Sequence, residues 1–159
     1  MARWEDFVGA ERELAKEVQT IFEAHTHKAI GTLRADGSPR VSGVECEFGH
    51  GELTFGMMPG SQKARDLQRD PRMEIHSATV DTDGSEPASW PGDAKISGRV
   101  TELTTPEERA PYSSDPSAAH HIFRVDIECV VRIKLDGDPL HLLVRTWRPG
   151  RPIEDVFAD

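Results

Sequence analysis

The residue pattern predicts a mainly β fold of the α+β kind. It is an antiparallel sheet of six or seven strands, with an N-terminal helix and short connecting helices. Three observations carry this. The apolar spacing changes from three or four residues to two after the first segment. Tight glycine turns separate the strand candidates. There are many short strands for one chain, and closing them into a small barrel protects the sheet edges. The length of 159 residues suits one domain over 1–159.

Trp4, Phe7, Val8, Leu14, Val18, Ile21 and Phe22 form one helical stripe, with Glu11, Arg12, Lys16 and Glu17 on the other face. Lys28 to Leu33 is a first strand, and Asp36-Gly37 turns the chain into a second over Arg40 to Phe48. Gly49-His50-Gly51 is the next turn, followed by a strand over Glu52 to Met57, so these three strands are expected to form an antiparallel meander. Ser61 caps a helix that runs to Arg69 and stops at Asp70-Pro71. Arg72 to Val80 and Ala94 to Leu103 are strands on either side of an exposed loop over Asp81 to Asp93. Thr105-Pro106-Glu107-Glu108 starts a short helix. Ile122 to Leu135 and Leu140 to Arg148 are the last strands, joined by a turn at Gly137, and a Pro/Gly-rich tail follows.

Charge narrows the function. The 19 Lys and Arg against 28 Asp and Glu leave a net charge of −9, which argues against a nucleic-acid partner. No apolar run approaches the ~20 residues of a membrane helix. The start, Met1 to Asp6, turns acidic too early for a secretory signal, so a cytoplasmic protein is expected. Cys46 and Cys129 read as free thiols, and no His/Cys/Asp/Glu spacing matches a metal site. No catalytic acid, base or nucleophile stands out. The most informative segment is Met58 to Arg69, where a Gly60-Ser61 loop opens onto a helix bearing Lys63 and Arg65. Helix-end N–H groups, a hydroxyl and two cations can hold a phosphate. An ordinary capped surface helix carries the same pattern.

Ala35-Asp36-Gly37-Ser38-Pro39-Arg40-Val41-Ser42, then Gly51 to Phe55, then Gly60-Ser61-Gln62-Lys63-Ala64-Arg65-Asp66-Leu67, and finally Asp70-Pro71-Arg72-Met73 occur in an order and spacing that resembles the pyridoxamine 5'-phosphate oxidase-like (flavin/deazaflavin oxidoreductase) superfamily. The resemblance implies a split β-barrel, a homodimer, and FMN in a groove at the dimer interface. It implies an oxidoreductase acting on an unknown small molecule. It places the cofactor phosphate at Arg40 and Lys63, beside Ser61 and Gln62, and the ring near Met57 and Met58, with Trp147 as the late tryptophan of the pocket. Three positions depart from the pyridoxamine phosphate oxidases proper: Gln62 and Glu45 stand where those enzymes carry cations, and Asp93 stands for a glutamine. Two further readings follow. One is an F420-dependent reductase using Arg34, Arg40, Lys63, Arg65 and Arg69 for the acidic coenzyme tail. The other is a cofactor-free or haem-binding sensor or stress protein, with His25, His27 or His76 as axial ligand.

Overall fold

The fold is organised by the strand over His121–Asp136 (β7), whose two edges are used differently. In this computed structural model, which describes residues 1–82 and 84–158, one edge pairs with Asp93–Glu102 (β6) almost throughout. The other edge is divided. Its first part, from His121 to Arg124, pairs with Glu52–Met57 (β4), and its last part, from Val130 to Asp136, pairs with His141–Trp147 (β8). Ala2 fills the interval, exchanging backbone hydrogen bonds of 2.9 and 2.7 Å with Ile127. A strand that serves two neighbours on one edge splits the sheet, as the split-barrel reading expected.

The remaining strands complete an antiparallel sheet. Lys28–Leu33 (β1) pairs with Pro39–Val44 (β2) and with Arg72–His76 (β5), and β5 pairs with β6. Cys46–Gly49 (β3) pairs with β4. The path β2-β1-β5-β6-β7-β4-β3 therefore has β2 and β3 at its two ends, and it does not close by hydrogen bonds. Yet β2 and β3 are neighbours in the chain, separated only by Glu45. The expected meander of three strands is thus corrected. The strand read over Arg40 to Phe48 breaks at Glu45, and its halves pair with opposite ends of the sheet. That break is the corner that brings the two sheet ends together.

Among the described residues there are nine strands rather than six or seven. One extra strand comes from the break at Glu45. The other is Glu154–Ala158 (β9), which pairs with β8 within the segment read as a tail. The N-terminal stripe is also two helices, Trp4–Ala10 (α1) and Arg12–Glu23 (α2), because Glu11 leaves helical geometry. Gly9, a poor helix former, lies just before that break. Of the loop expected over Asp81 to Asp93, Asp83 lies outside the described residues. Gln62–Arg69 (α3) and Pro106–Arg109 (α4) form where expected, capped by Ser61 and Thr105.

The core lies between α1, α2 and the concave sheet. Phe7, Val18, Phe22, Ile30, Leu53, Ile75, Ile96, Val125 and Ile127 are fully buried there. Each such side chain stabilises by about 1.5–3 kcal/mol relative to exposure. α3 packs against β1 and buries Ala64 and Leu67 in this core, while Gln62 and Arg65 are exposed and Ser61 and Lys63 half-buried at its start.

Candidate functional site

Ser61 sets the start of α3. Its backbone is extended, and its Oγ accepts a hydrogen bond from the Ala64 N–H at 3.4 Å. The Arg65 N–H already bonds the Ser61 carbonyl. The Gln62 and Lys63 N–H groups thus remain as helix-end donors, at the positive end of the helix dipole. Lys63 reaches from the same turn to the Gly43 carbonyl of β2.

This turn borders a groove of about 480 Å³, lined by His27, Gly43, Val44, Glu45, Gly56, Met57, Met58, Ser61 and Lys63. The end of β4 and the start of α3 therefore meet the Glu45 corner. Met57 is buried, whereas Met58 is 79% exposed. Glu45 takes the His27 ring at 3.2 Å. A second hollow of about 570 Å³ continues from this groove, with Glu45 and Gly56 lining both. It is bounded by Lys28, Cys46, Phe48, Tyr112, His120 and neighbouring residues. Both volumes fall within the ~300–1,000 Å³ of small-molecule sites. Local sequence patterns miss Tyr112 and His120, because only the pairing of β4 with β7 brings their segment beside β3 and β4.

Arg40 is placed by a buried carboxylate. Asp66, only 3% exposed, accepts hydrogen bonds from Arg40 Nε (2.6 Å), Thr32 Oγ1 (2.9 Å) and Arg69 Nη2 (3.0 Å). Burial alone would push this carboxyl up, but the donors from Arg40, Thr32 and Arg69 outweigh it and hold Asp66 below its ordinary 3.8. A carboxyl lowered in the folded state contributes stability that is complete above its ordinary value. That stability is lost as the pH falls through the lower folded value. We expect the melting temperature of the wild type to fall more steeply than that of Asp66→Asn below about pH 4. Parallel melting curves from about pH 6 to 3 check this, and equal slopes would remove Asp66 from the acid response.

The other expected residues are more dispersed. Met57, Met58, Ser61 and Lys63 share the groove, while Arg40, Gln62 and Trp147 do not line it. Gln62 stands exposed on the first turn of α3. Trp147 is 3% exposed at the end of β8, with its ring 4.5 Å from that of Phe7. Asp93 begins β6, away from the groove lining. His76 bonds the Ser77 carbonyl at 2.6 Å. Burial, with Glu23 and Glu47 nearby, pushes the Cys46 thiol up to about 11, so it stays protonated at neutral pH. No group of three or more His, Cys, Asp and Glu suited to a metal occurs among the described residues. No helix among them is long and apolar enough to cross a membrane.

The donor set at α3 suits a phosphomonoester: an ammonium, a hydroxyl, two helix-end N–H groups, and a guanidinium on the adjoining strand. Glu45 is the opposing charge at the groove.

Comparison with known proteins agrees with the fold. A family model described as pyridoxamine 5'-phosphate oxidase matches residues 14–134. A search of curated proteins finds no match. Among solved structures, a pyridoxamine 5'-phosphate oxidase-related, FMN-binding protein from Nostoc punctiforme superposes with a TM-score of 0.61 at 14% identity, covering 96% of each chain. A haem-binding protein from Mycobacterium smegmatis gives 0.57 at 16% identity, over 89% of this chain and 56% of its own. An F420 reductase gives 0.50 at 20% identity, over 70% and 94%.

Proposed function

The chain belongs to the pyridoxamine 5'-phosphate oxidase family, and on that footing we propose that it is an FMN-binding oxidoreductase acting on a small molecule, as a homodimer. The observation that carries the reading is the first turn of α3. Ser61, Lys63 and two helix-end N–H groups border a groove whose other wall is the end of β4. Lys63 and the helix end would hold the cofactor phosphate, with Arg40 contributing from β2. Gly56, Met57 and Met58 would flank the ring, and the buried Met57 offers it an apolar, water-poor contact. Bound there, FMN supplies hydride or electron transfer. The protein's part is to bind and orient it. The adjoining hollow beyond Glu45 gives the reacting molecule a place beside the ring. Exposed Val41 and Met58 near the groove support a second copy covering it.

The F420 reading needs a basic groove for an acidic tail. Four of its five cations are already engaged within the chain: Arg34 on the Pro39 carbonyl, Lys63 on the Gly43 carbonyl, and Arg40 and Arg69 on Asp66. FMN asks the chain to hold a single phosphate rather than an extended acidic tail, and is the preferred cofactor.

Titration of the purified protein with FMN, F420 and haemin separates these readings. We expect an FMN complex, and a mass in light scattering of twice 17.7 kDa. Lys63→Ala should weaken FMN about tenfold or more, the worth of one charge-assisted contact. No spectral change up to high micromolar FMN sinks the flavin reading, and a Soret band with haemin replaces it. Unchanged FMN affinity in Lys63→Ala removes the phosphate from α3.

A further inference from the structure

We propose that Asp66 is the positioning residue that sets the site's preference for a phosphorylated flavin over an unphosphorylated one. The inference rests on the FMN reading above and adds a residue that touches no ligand. Two ties join α3 to β2: Lys63 to the Gly43 carbonyl, and Arg40 to Asp66. On the helix, Lys63 and Asp66 lie three residues apart, so they share a face about one turn apart. On the strand, Gly43 and Arg40 are also three apart, in the reverse sense. Arg40 and Lys63 thus lie along one seam, and Asp66 fixes the Arg40 end of it.

The form of the tie matters. Asp66 engages the Arg40 Nε–H, and no other hydrogen bond from the Arg40 side chain occurs among the described residues. The terminal nitrogens of that guanidinium are therefore left for an anion, in a planar donor pair that matches phosphate geometry. The carboxylate is itself held by Thr32, which sits directly opposite Arg40 on β1, and by Arg69. Arg69 and Arg40 together carry two positive charges against one negative charge, so the cluster stays net cationic. A free arginine would sample many rotamers and lose entropy on binding; one already anchored loses less.

The test compares FMN with riboflavin, which lacks the phosphate, by fluorescence titration of the wild type, Asp66→Asn, Arg40→Gln and the double variant. We expect Asp66→Asn to weaken FMN about tenfold and riboflavin less than twofold. In the Arg40→Gln background the same change should cost FMN nothing further, because Asp66 acts through Arg40. Equal losses for FMN and riboflavin, or a tenfold loss that persists without Arg40, would show a merely structural role and overturn the proposal. If Asp66→Asn does not fold, Thr32→Val loosens the same carboxylate. It should then weaken FMN about threefold with riboflavin unchanged, and an FMN affinity equal to wild type would overturn the proposal. A wild type that binds no FMN sinks the flavin reading and this inference together. A wild type that binds FMN, with Asp66→Asn binding equally well, sinks this inference alone.

Discussion

Gly98→Ala is expected to cost about 3 kcal/mol or more of folding stability, although it adds a single methyl group. Gly98 sits where the register of β6 against β7 shifts: Ser97 faces Cys129, whereas Gly98 faces Ile127. Glu128 is the extra residue of this bulge, and the β7 backbone comes close to Gly98 there. A Cβ at Gly98 would lie 2.1 Å from the Asp126 carbonyl oxygen and 3.1 Å from the Glu128 nitrogen. These are backbone atoms, so no rotamer change relieves the contact. The strands must separate, in the most extensive pairing of the sheet. A protein of this size shifts by roughly 2–4 °C per kcal/mol. Thermal unfolding should therefore show a drop of about 6–12 °C or more. Gly49→Ala is the control, because a Cβ there meets nothing within 4 Å. Matching melting temperatures for the two variants would refute the close approach.

Trp147→Ala is expected to cost about 3–5 kcal/mol, the range for deleting a large buried aromatic side chain. Trp147 ends β8 opposite Val130, and its ring meets that of Phe7 at 4.5 Å. Phe7 contacts Trp4 at 5.3 Å, Trp4 contacts Phe48 at 4.4 Å, and Phe48 contacts Phe22 at 6.0 Å. This chain of rings ties β8, α1, β3 and α2 together, so removing its first member loosens the helices from the sheet. The substitution should lower the denaturation midpoint strongly. Any folded fraction should keep the ratio of FMN to riboflavin affinity, since Trp147 does not line the groove beside Lys63. Unchanged stability with a selective loss of FMN would instead assign the ring to the cofactor.

The parts of the site carried by local chemistry were legible in the sequence. Ser61 before a run of helix formers specifies the start of α3, since a hydroxyl that can cap an N–H is a local device. Gly37 and Gly51 mark their turns by positive φ, which costs glycine little. The partner of Arg40 was not legible. Asp66 reads as one more charge on an exposed helix until α3 packs on β1 and buries it. The role of Glu45 was likewise hidden, because nothing in an alternating apolar run shows that its two halves pair with different neighbours.

By itself, the sequence determined most of the residues that become helix or strand, where most turns fall, and that a cation-bearing helix starts after Ser61. These follow from interactions between residues a few positions apart. The tertiary structure decided that β2 and β3 take opposite ends of one sheet, that Trp147 is core, and that Lys63, Met57 and Glu45 share a groove. Those outcomes depend on long-range strand pairing and on burial. Both are set by the whole folded chain exchanging apolar surface with water, not by any short stretch of it.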